Sequence, residues 1–285
     1  MYRQCKKIVN SDTWTRILAL CDEDVGRETL PAVLERCKSD FGLPDFLPEL
    51  ARLEWAVGQA RSAKTKVADE VTRLTVNPGL QLLKLSWKNL PLLLNAGDDA
   101  FPEPEPGNEF VLVWIDPSTG YVHTRKASSE DLLVLKMVVE GIDPEEAAVA
   151  GAVPVGTVDR AIYRGIFNGL LIPPRSSICR DASSFPSSAA TEERFLVCHV
   201  FTLQWHITQA CDLHCKHCYD RSARSPLKLQ DGLKILDDLR AFCLSRHVRG
   251  QVSFTGGNPL LYPHFLELYR VEQRNFLFVP GESQE

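Results

Sequence analysis

Hydrophobic residues in positions 1–95 recur at steps of three and four, the spacing that places them on one face of an α-helix. Asp12 is placed to cap a helix that carries Trp14, and a second helix is expected from about residue 30 to residue 42. The clearest stripe runs through Phe46, Leu50, Leu53, Val57 and Ala60. Such stripes are typical of a packed core and carry no candidate chemistry. We therefore predict a helical N-terminal region.

The pattern changes at residue 110, where two β-rich runs, FVLVWI and YVHTRK, are joined by the turn-forming sequence DPSTG. A β-hairpin is predicted here, followed by three short helices. Ser128 and Asp131 form a capping box before the first helix, and Asp143 is an N-cap for the second. Gly169 ends the third. A hairpin, a helix and a helix-turn-helix in this order indicate a winged helix.

Three interpretations of this winged helix are open. DNA binding is disfavoured because residues 110–172 hold five basic and eight acidic side chains, whereas phosphate contact needs a basic face. The segment, in particular TRKASSEDLLVLKMVVEGIDPEEAA, resembles the PqqD-like peptide-recognition domain that accompanies enzymes modifying ribosomally made peptides. That resemblance implies that a leader peptide binds as an added strand on the edge of the hairpin. The third interpretation is a purely structural winged helix.

Two segments have the composition of linkers. One is acidic and proline-rich, so it is expected to run extended, and the other is rich in Ser, Ala and Pro. They divide the chain into five predicted segments. These are a helical region (1–95), the acidic linker (96–109), the winged helix (110–172), the Ser/Pro-rich linker (173–193) and a C-terminal α/β region (194–285).

Composition and charge exclude several classes of binding partner and cellular compartment. The chain has 285 residues, of which 44% are hydrophobic and 24% charged. Its net charge is -5, so it does not have the excess of basic residues that is typical of nucleic-acid-binding proteins. No apolar run is long enough for a signal peptide or a membrane span. We expect a cytoplasmic protein with neither nucleic acid nor membrane as a partner. Six of the nine cysteines lack the spacing of a disulfide framework, which favours a reducing compartment.

The other three cysteines, Cys211, Cys215 and Cys218, are clustered in TQACDLHCKHCYD. They follow a β-branched and aromatic run, residues 195–207, which is predicted to be a strand. The cysteines therefore begin in the loop at the carboxyl end of a strand, where α/β folds place their chemistry. Thiolates at these intervals can converge on zinc or an iron-sulfur cluster, and a redox pair is a further interpretation.

The number of ligands separates these interpretations. Structural zinc takes four ligands, and because no second CxxC follows, His214 or His217 would have to be the fourth. A redox CxxC pair would leave Cys211 unused. A four-iron cluster held by three thiolates leaves one iron open for a further ligand, and catalysis at the cluster requires such an open iron.

The CxxxCxxC spacing resembles that of the radical S-adenosylmethionine superfamily, in which three cysteines hold a [4Fe-4S] cluster whose open iron chelates the methionine part of the cofactor. The resemblance implies that Cys211, Cys215 and Cys218 are the cluster ligands. The sequence downstream fits it, because a helix is predicted over LKLQDGLKILDDLRAFCLSRH, then a short strand QVSF, then TGGNP. Strand, cluster loop, helix, strand and Gly-Gly turn form the opening of a parallel barrel.

TGGNP matches the Gly-Gly-Glu-Pro-like motif that ends the second strand in this superfamily and contacts the amino group of the cofactor. The resemblance implies that Gly256, Gly257, Asn258 and Pro259 bind S-adenosylmethionine. Glycine lets the backbone approach a ligand closely and adopt a positive φ. Asn258 replaces the usual glutamate, so a charged contact to the ammonium group becomes a neutral one that an amide oxygen can make.

The predicted fold class is mixed α/β: a helical N-terminal region, a PqqD-like winged helix, and the first βα units of a partial (β/α)6 TIM-like barrel. Residues 195–285 leave room for about two βα units, whereas six units need roughly 190 residues by the scale of an eight-unit barrel. A C-terminally truncated chain is therefore expected.

More narrowly, YRQCKKIVNSDTW, LPDFLPELARLEWA and SFTGGNPLLYPHF resemble the thio(seleno)oxazole or selenobiotic peptide-modification group of radical maturases. The resemblance implies that a 5'-deoxyadenosyl radical modifies a ribosomally synthesised precursor peptide, with ferredoxin or flavodoxin as the electron donor. The sequence assigns no catalytic residue, no precursor and no bond. The alternative is a catalytically inactive chain that acts as a leader-peptide-binding module.

Overall fold

The structure of the protein is a computed structural model in which the described residues form two units. The described residues are 2–21, 30–62, 71–95, 103–181, 183, 193–213, 215–218 and 227–275. One unit comprises residues 1–69, 76–135 and 167–172, and the other comprises residues 70–75, 136–166 and 173–285. His214 and about half of the two predicted linkers, residues 96–102, 182 and 184–192, lie outside the described residues.

The first unit combines helices with an antiparallel sheet. Its helices are α1 (Arg3–Ile8), α2 (Ser11–Ala19), α3 (Leu30–Phe41), α4 (Leu47–Ser62), α5 (Leu90–Asn95) and the first part of α6 (Ser129–Glu140). Its strands are β1 (Thr75–Val76), β2 (Gln81–Lys88), β3 (Glu105–Ile115), β4 (Val122–Lys126) and β5 (Leu171–Ile172). The sheet has the order β2-β3-β4, and β1 pairs with β5.

The N-terminal helices cover one face of this sheet. Val111 and Val113 of β3 share one hydrophobic core with α1 to α4. The carboxylate of Glu54, buried in α4, accepts hydrogen bonds from the amides of Gln4 (2.9 Å) and Cys5 (3.1 Å) in the first turn of α1. Since the first amides of a helix have no partner within it, Glu54 fixes the start of α1 on α4.

Two predictions for this unit were wrong in detail. The N-cap of α2 is Asn10, whose side chain accepts from the amide of Thr13 at 2.9 Å, and not Asp12, which lies in the first turn. The predicted helical region 1–95 also contains the strand β2, which pairs along β3. The strand β3 begins at Glu105, so the end of the predicted linker is extended backbone within the sheet.

The capping signals within the predicted winged helix are present. The amide and the hydroxyl of Ser128 donate to the carboxylate of Asp131 at 2.7 Å each, and the Asp131 amide donates to the Ser128 hydroxyl at 3.1 Å. Asp143 caps the next helix through the amide of Glu145 at 2.8 Å. Gly169 has φ +71°, as a helix-ending glycine requires.

The second unit contains a parallel β-α-β arrangement. Its elements are the end of α6, α7 (Pro144–Ala150), α8 (Val155–Phe167), α9 (Glu193–Leu196), β6 (Val200–Thr208), α10 (Leu229–Arg246), β7 (Arg249–Gly256), a 3-10 turn (Pro259–Leu261) and α11 (Phe265–Asn275). The strands β6 and β7 are parallel neighbours. Trp205 and Ile207 of β6 and Val252 of β7 pack with the buried residues of α10 and α11.

The first strand of this arrangement is shorter than predicted. The segment 195–207 was expected to be one strand, but 193–196 form a helical turn and β6 starts at Val200. The amide of Cys198 donates to the carbonyl of Ile178 at 2.9 Å, and Val197 forms an isolated bridge with Cys179. Pairing with residues 178 and 179 therefore occupies the backbone before the strand begins.

The boundary between the two units lies at residues 135 and 136, inside the predicted winged helix 110–172. The packing explains it. The sheet residues Val111 and Val113 share the core of the N-terminal helices, whereas Met137 packs with Ala148 and Val158 of α7 and α8.

Candidate functional site

The cysteine loop and the Gly-Gly turn lie at the same end of the parallel strands. Cys211 is three residues beyond the end of β6, and the turn begins where β7 ends. The register pairs Thr208 with Gly256. Parallel strands bring their carboxyl ends to one edge of a sheet, and this edge is where α/β folds bind ligands.

The two glycines allow the turn to lie directly against the start of the cysteine loop. A Cβ atom on Gly256 would come 2.2 Å from the carbonyl oxygen of Thr208, and one on Gly257 would come 2.2 Å from that of Ala210. The Gly257 amide donates to the Thr208 carbonyl at 2.8 Å, and Gly256 has φ +121°. Both positions therefore require glycine for contact between two stretches of backbone.

The side-chain amide of Asn258 both accepts and donates a hydrogen bond. Its oxygen accepts a hydrogen bond from the amide of Leu260 at 3.1 Å and thereby caps the 3-10 turn, in which Pro259 is the first residue. Its nitrogen donates to a carboxylate oxygen of Asp212 at 3.0 Å. The side chain is thus engaged by protein groups on both sides.

The three predicted cluster ligands are all exposed on the loop. Cys211, Cys215 and Cys218 are accessible to solvent, and the Cys218 amide donates to the Cys215 carbonyl at 3.1 Å in a tight turn. Among the residues that the structure describes, no three His, Cys, Asp or Glu side chains lie close enough together to hold a metal ion. The described loop therefore presents the three thiols separately.

The chemistry of this donor set fits an iron-sulfur cluster. Three thiols fall within one exposed loop, and thiolate sulfur is the ligand that such clusters take from proteins. The neighbouring His217 is also exposed. The residues fit the group by their type and exposure, and binding would require the three thiols to converge.

Other cysteines differ from the loop cysteines in burial. Burial raises the pKa of the Cys5 thiol, with a further increase from the nearby Glu54 carboxylate. Burial likewise raises the pKa of Cys37 and Cys243. Since the thiolate is the form that binds metal and reacts, these three are structural. No disulfide forms among the nine cysteines, all of which lie in the described ranges.

The face of β6 and β7 opposite α10 is polar. Side chains alternate along both strands, so those next to the buried apolar set point to the other face. In register they form three cross-strand pairs: Thr202 with Gln251, Gln204 with Ser253, and His206 with Thr255. The buried hydroxyl of Thr255 has no hydrogen-bond partner among the described residues. Sequence inspection missed this face, although the alternation in VFTLQWHIT was its signal.

The third helix of the predicted winged helix contacts the β-α-β arrangement. Asp159 of α8 forms an ion pair with Arg240 of α10 at 2.7 Å, and both side chains are largely buried. One turn later, the Tyr163 hydroxyl lies 3.2 Å from a guanidinium nitrogen of Arg249. This face of α8 is engaged within the second unit.

The outer edge of β4 in the sheet of the first unit has no strand partner within the described ranges. The Asp116 amide donates to the Tyr121 carbonyl, and the Ala127 amide donates to the Phe110 carbonyl. Hydrogen-bonded pairs alternate in an antiparallel ladder, so Val122, Thr124 and Lys126 direct their backbone groups away from β3. No strand pairs with this side of β4 within the described ranges.

The resemblance implied peptide binding on an edge of the hairpin, and β2 pairs along the β3 side of that hairpin. Each outer edge of the sheet carries a side-chain contact, and on β4 the Lys126 carbonyl accepts from the guanidinium of Arg125 at 3.1 Å. On β2, the outward amide of Ser86 donates to both carboxylate oxygens of Glu49, at 3.0 and 2.8 Å. Among the described residues, the outer edge of β4 is therefore the side of the predicted hairpin that lacks a strand partner.

No protein-family model matches the chain, and a search of curated proteins finds no match. Within the described ranges, no helix combines the length and the apolar character needed to cross a membrane.

Proposed function

We propose that this chain binds a [4Fe-4S] cluster and S-adenosylmethionine and modifies a ribosomally synthesised precursor peptide. The observation that carries the proposal is that the CxxxCxxC loop and the Gly-Gly-Asn-Pro turn meet at the carboxyl edge of a parallel β-α-β arrangement. Neither a zinc site nor a redox pair requires a Gly-Gly turn beside the cysteines. The resemblance to the radical S-adenosylmethionine superfamily, in which such a turn lies beside the cluster cysteines, accounts for both motifs together.

In this function, Cys211, Cys215 and Cys218 hold the cluster. Backbone groups of Gly256 and Gly257 are the candidates for contact with the cofactor, because the turn that they form lies against the start of the cysteine loop. When bound, the cluster would supply the electron for reductive cleavage of S-adenosylmethionine, and the cofactor would supply the 5'-deoxyadenosyl group for hydrogen abstraction from the peptide. The protein's part is to bind, orient and shield these groups.

The polar face of β6 and β7 supports this proposal. In an ordinary parallel sheet both faces are apolar, because helices cover both. Here Gln204 and His206 lead along one face toward the cysteine loop, and Gln251 and Ser253 accompany them on β7. Such a face suits the interior of a barrel that admits a polar ligand.

The remaining partners follow from the chemistry. One-electron reduction of a cluster needs a donor such as ferredoxin or flavodoxin, and a reducing cytoplasm suits both the cluster and nine cysteines without disulfides. The thio(seleno)oxazole or selenobiotic peptide-modification group remains the narrower proposal for the substrate class.

Anaerobic reconstitution with ferrous iron and sulfide tests this function. The wild-type chain should take up about four irons and four sulfides, the stoichiometry of one [4Fe-4S] cluster, and the Cys211/Cys215/Cys218→Ala variant should take up none. Cys179→Ala is the matched control, because Cys179 is exposed but lies outside the loop. Equal iron in the triple variant, or colourless protein that holds zinc instead, would contradict the proposal.

A second candidate function is leader-peptide binding, with or without catalysis. The observation in its favour is the outer edge of β4, where the backbone of Val122 and Thr124 points away from the sheet. An extended peptide can add a strand to such an edge through main-chain hydrogen bonds. This function needs no iron.

Proline substitution tests this edge selectively. Thr124→Pro removes an outward amide without breaking the ladder to β3. We expect it to abolish binding of peptides selected from a phage-displayed random library, measured by fluorescence anisotropy. Lys84→Pro on the outer edge of β2 is the matched control and should leave binding intact. Loss of binding in the control alone would assign the peptide to the opposite edge.

A further inference from the structure

Asn258 holds the chain on both sides of Cys211. Its backbone amide donates to the carbonyl of Ala210 at 2.8 Å, and its side-chain nitrogen donates to the carboxylate of Asp212 at 3.0 Å. Ala210 and Asp212 are the immediate neighbours of Cys211 in the chain. One residue at the end of β7 therefore fixes the backbone of the first cysteine from two directions.

The geometry requires an amide at position 258. The side chain donates to Asp212 and at the same time accepts from the Leu260 amide at 3.1 Å. An aspartate could accept but not donate, and its charge would face the Asp212 carboxylate. Gly256 and Gly257 complete the arrangement, because a Cβ on either would overlap the carbonyl of Thr208 or Ala210.

We propose that Asp212 and Asn258 form a latch that positions Cys211 for metal binding. The proposal rests on the proposed function, since it takes the three cysteines as metal ligands. Both are positioning residues that act through the loop. The latch accounts for an asparagine where a glutamate was expected, because here the side chain is bound to the cysteine loop.

Partner groups that orient metal ligands affect affinity strongly, and their loss costs about 10- to 100-fold. The probe is cobalt(II), titrated anaerobically and followed by its thiolate charge-transfer absorption. Asn258→Asp should weaken cobalt binding by about tenfold or more. Asp212→Asn should weaken it less, because an amide oxygen at 212 can still accept from Asn258.

Exchanging the two residues is the decisive variant. In Asp212→Asn/Asn258→Asp, the amide at 212 donates to the carboxylate at 258, which can still cap the 3-10 turn, so cobalt affinity should recover. Asp238→Asn, which removes an exposed charge on α10, is the net-charge control for Asp212→Asn and should leave cobalt affinity unchanged. Hydrogen exchange at the amides of Gly257 and Asn258 should accelerate in Asn258→Asp and slow again in the exchanged pair.

The outcomes separate the latch from the proposed function. Faster exchange and weaker cobalt binding in Asn258→Asp, with recovery in the exchanged pair, support the latch even if no iron-sulfur cluster assembles; the proposed function would then fail alone. Unchanged cobalt affinity and exchange in Asn258→Asp, no recovery in the exchanged pair, or no cobalt binding by the wild type would each overturn the latch.

Discussion

The two sheets of this protein are built differently. The antiparallel sheet of the first unit has apolar side chains on both faces, because Val111 and Val113 join one core and Leu112 and Trp114 are buried on the other face. The parallel pair β6 and β7 has one apolar face, while the opposite face carries Thr, Gln, Ser and His. The first sheet is packed on both faces, whereas the second has one packed face and one polar face.

The comparison predicts where substitutions are costly. A buried side chain of the first sheet loses packing contacts when it is truncated, whereas a side chain on the polar face of β6 and β7 loses few.

Replacing Arg240 should cause the largest loss of stability, and this loss should fall on the second unit. Asp159, the ion-pair partner of Arg240, is largely buried, and burial raises the pKa of that carboxyl, so Arg240→Ala leaves a charge in an unfavourable site. We expect a loss of about 3–5 kcal/mol in the free energy of unfolding. Hydrogen exchange of α10 in urea measures it. Adding Asp159→Asn should recover part of the loss, and an unchanged loss would contradict this explanation.

Truncating one side chain in each sheet should give clearly different losses in the free energy of unfolding. Leu112 is fully buried, and Leu112→Ala should cost about 2–5 kcal/mol in urea unfolding of the first unit. Gln204→Ala, on the polar face of β6, should change the stability of the second unit by less than about 0.5 kcal/mol. A similar loss in both variants would mean that the polar face is part of a packed core.

The capping box of α6 should contribute less to the free energy of unfolding than the Arg240 ion pair or the packing of Leu112. Burial alone would raise the pKa of Asp131, but hydrogen bonds from Arg125 and Ser128 outweigh it and the pKa is lowered. Asp131→Ala should cost about 1–3 kcal/mol at neutral pH, because the pair with Arg125 at 2.6 and 2.8 Å is lost.

The pH dependence of that difference follows from the sign of the shift. A lowered pKa stabilises the fold above the ordinary aspartate range, and this stabilisation is lost as the pH falls through the folded pKa. Urea unfolding at several pH values should show the wild type and Asp131→Ala converging in acid. A constant difference would exclude the carboxylate as the cause.

The smallest expected difference is in the rate at which buried and exposed cysteines react with a thiol reagent. Cys5, Cys37 and Cys243 are buried with raised pKa values, whereas Cys211, Cys215 and Cys218 are exposed. We expect iodoacetamide to modify the loop cysteines at least about tenfold faster, since the thiolate reacts. Peptide mass spectrometry at neutral pH measures the rates. Equal rates would mean that the buried thiols open readily.

Local signals in the sequence predicted much of the fold. The Ser128 and Asp131 capping box, the Asp143 cap and the helix-ending Gly169 are properties of a few adjacent residues, and each is present. The strand β2 was missed, although Leu83, Leu85 and Trp87 alternate with polar residues, because it lies in a region with strong helical stripes.

Contacts between distant residues could not be predicted in the same way. The hydrogen bond from Asn258 to Asp212 joins residues 46 positions apart, and it depends on the register of β6 and β7. The sequence indicated which residues form the two motifs. It could not indicate that the glycines would contact the backbone of Thr208 and Ala210.

We propose that the cysteine loop and the Gly-Gly turn form one site for a cluster and its cofactor. The direct test is electron paramagnetic resonance of the reconstituted, dithionite-reduced chain, recorded before and after S-adenosylmethionine is added. We expect a [4Fe-4S] signal that shifts on addition of the cofactor and is absent from the Cys211/Cys215/Cys218→Ala variant. A signal that is indifferent to the cofactor, or that persists in the variant, would contradict it.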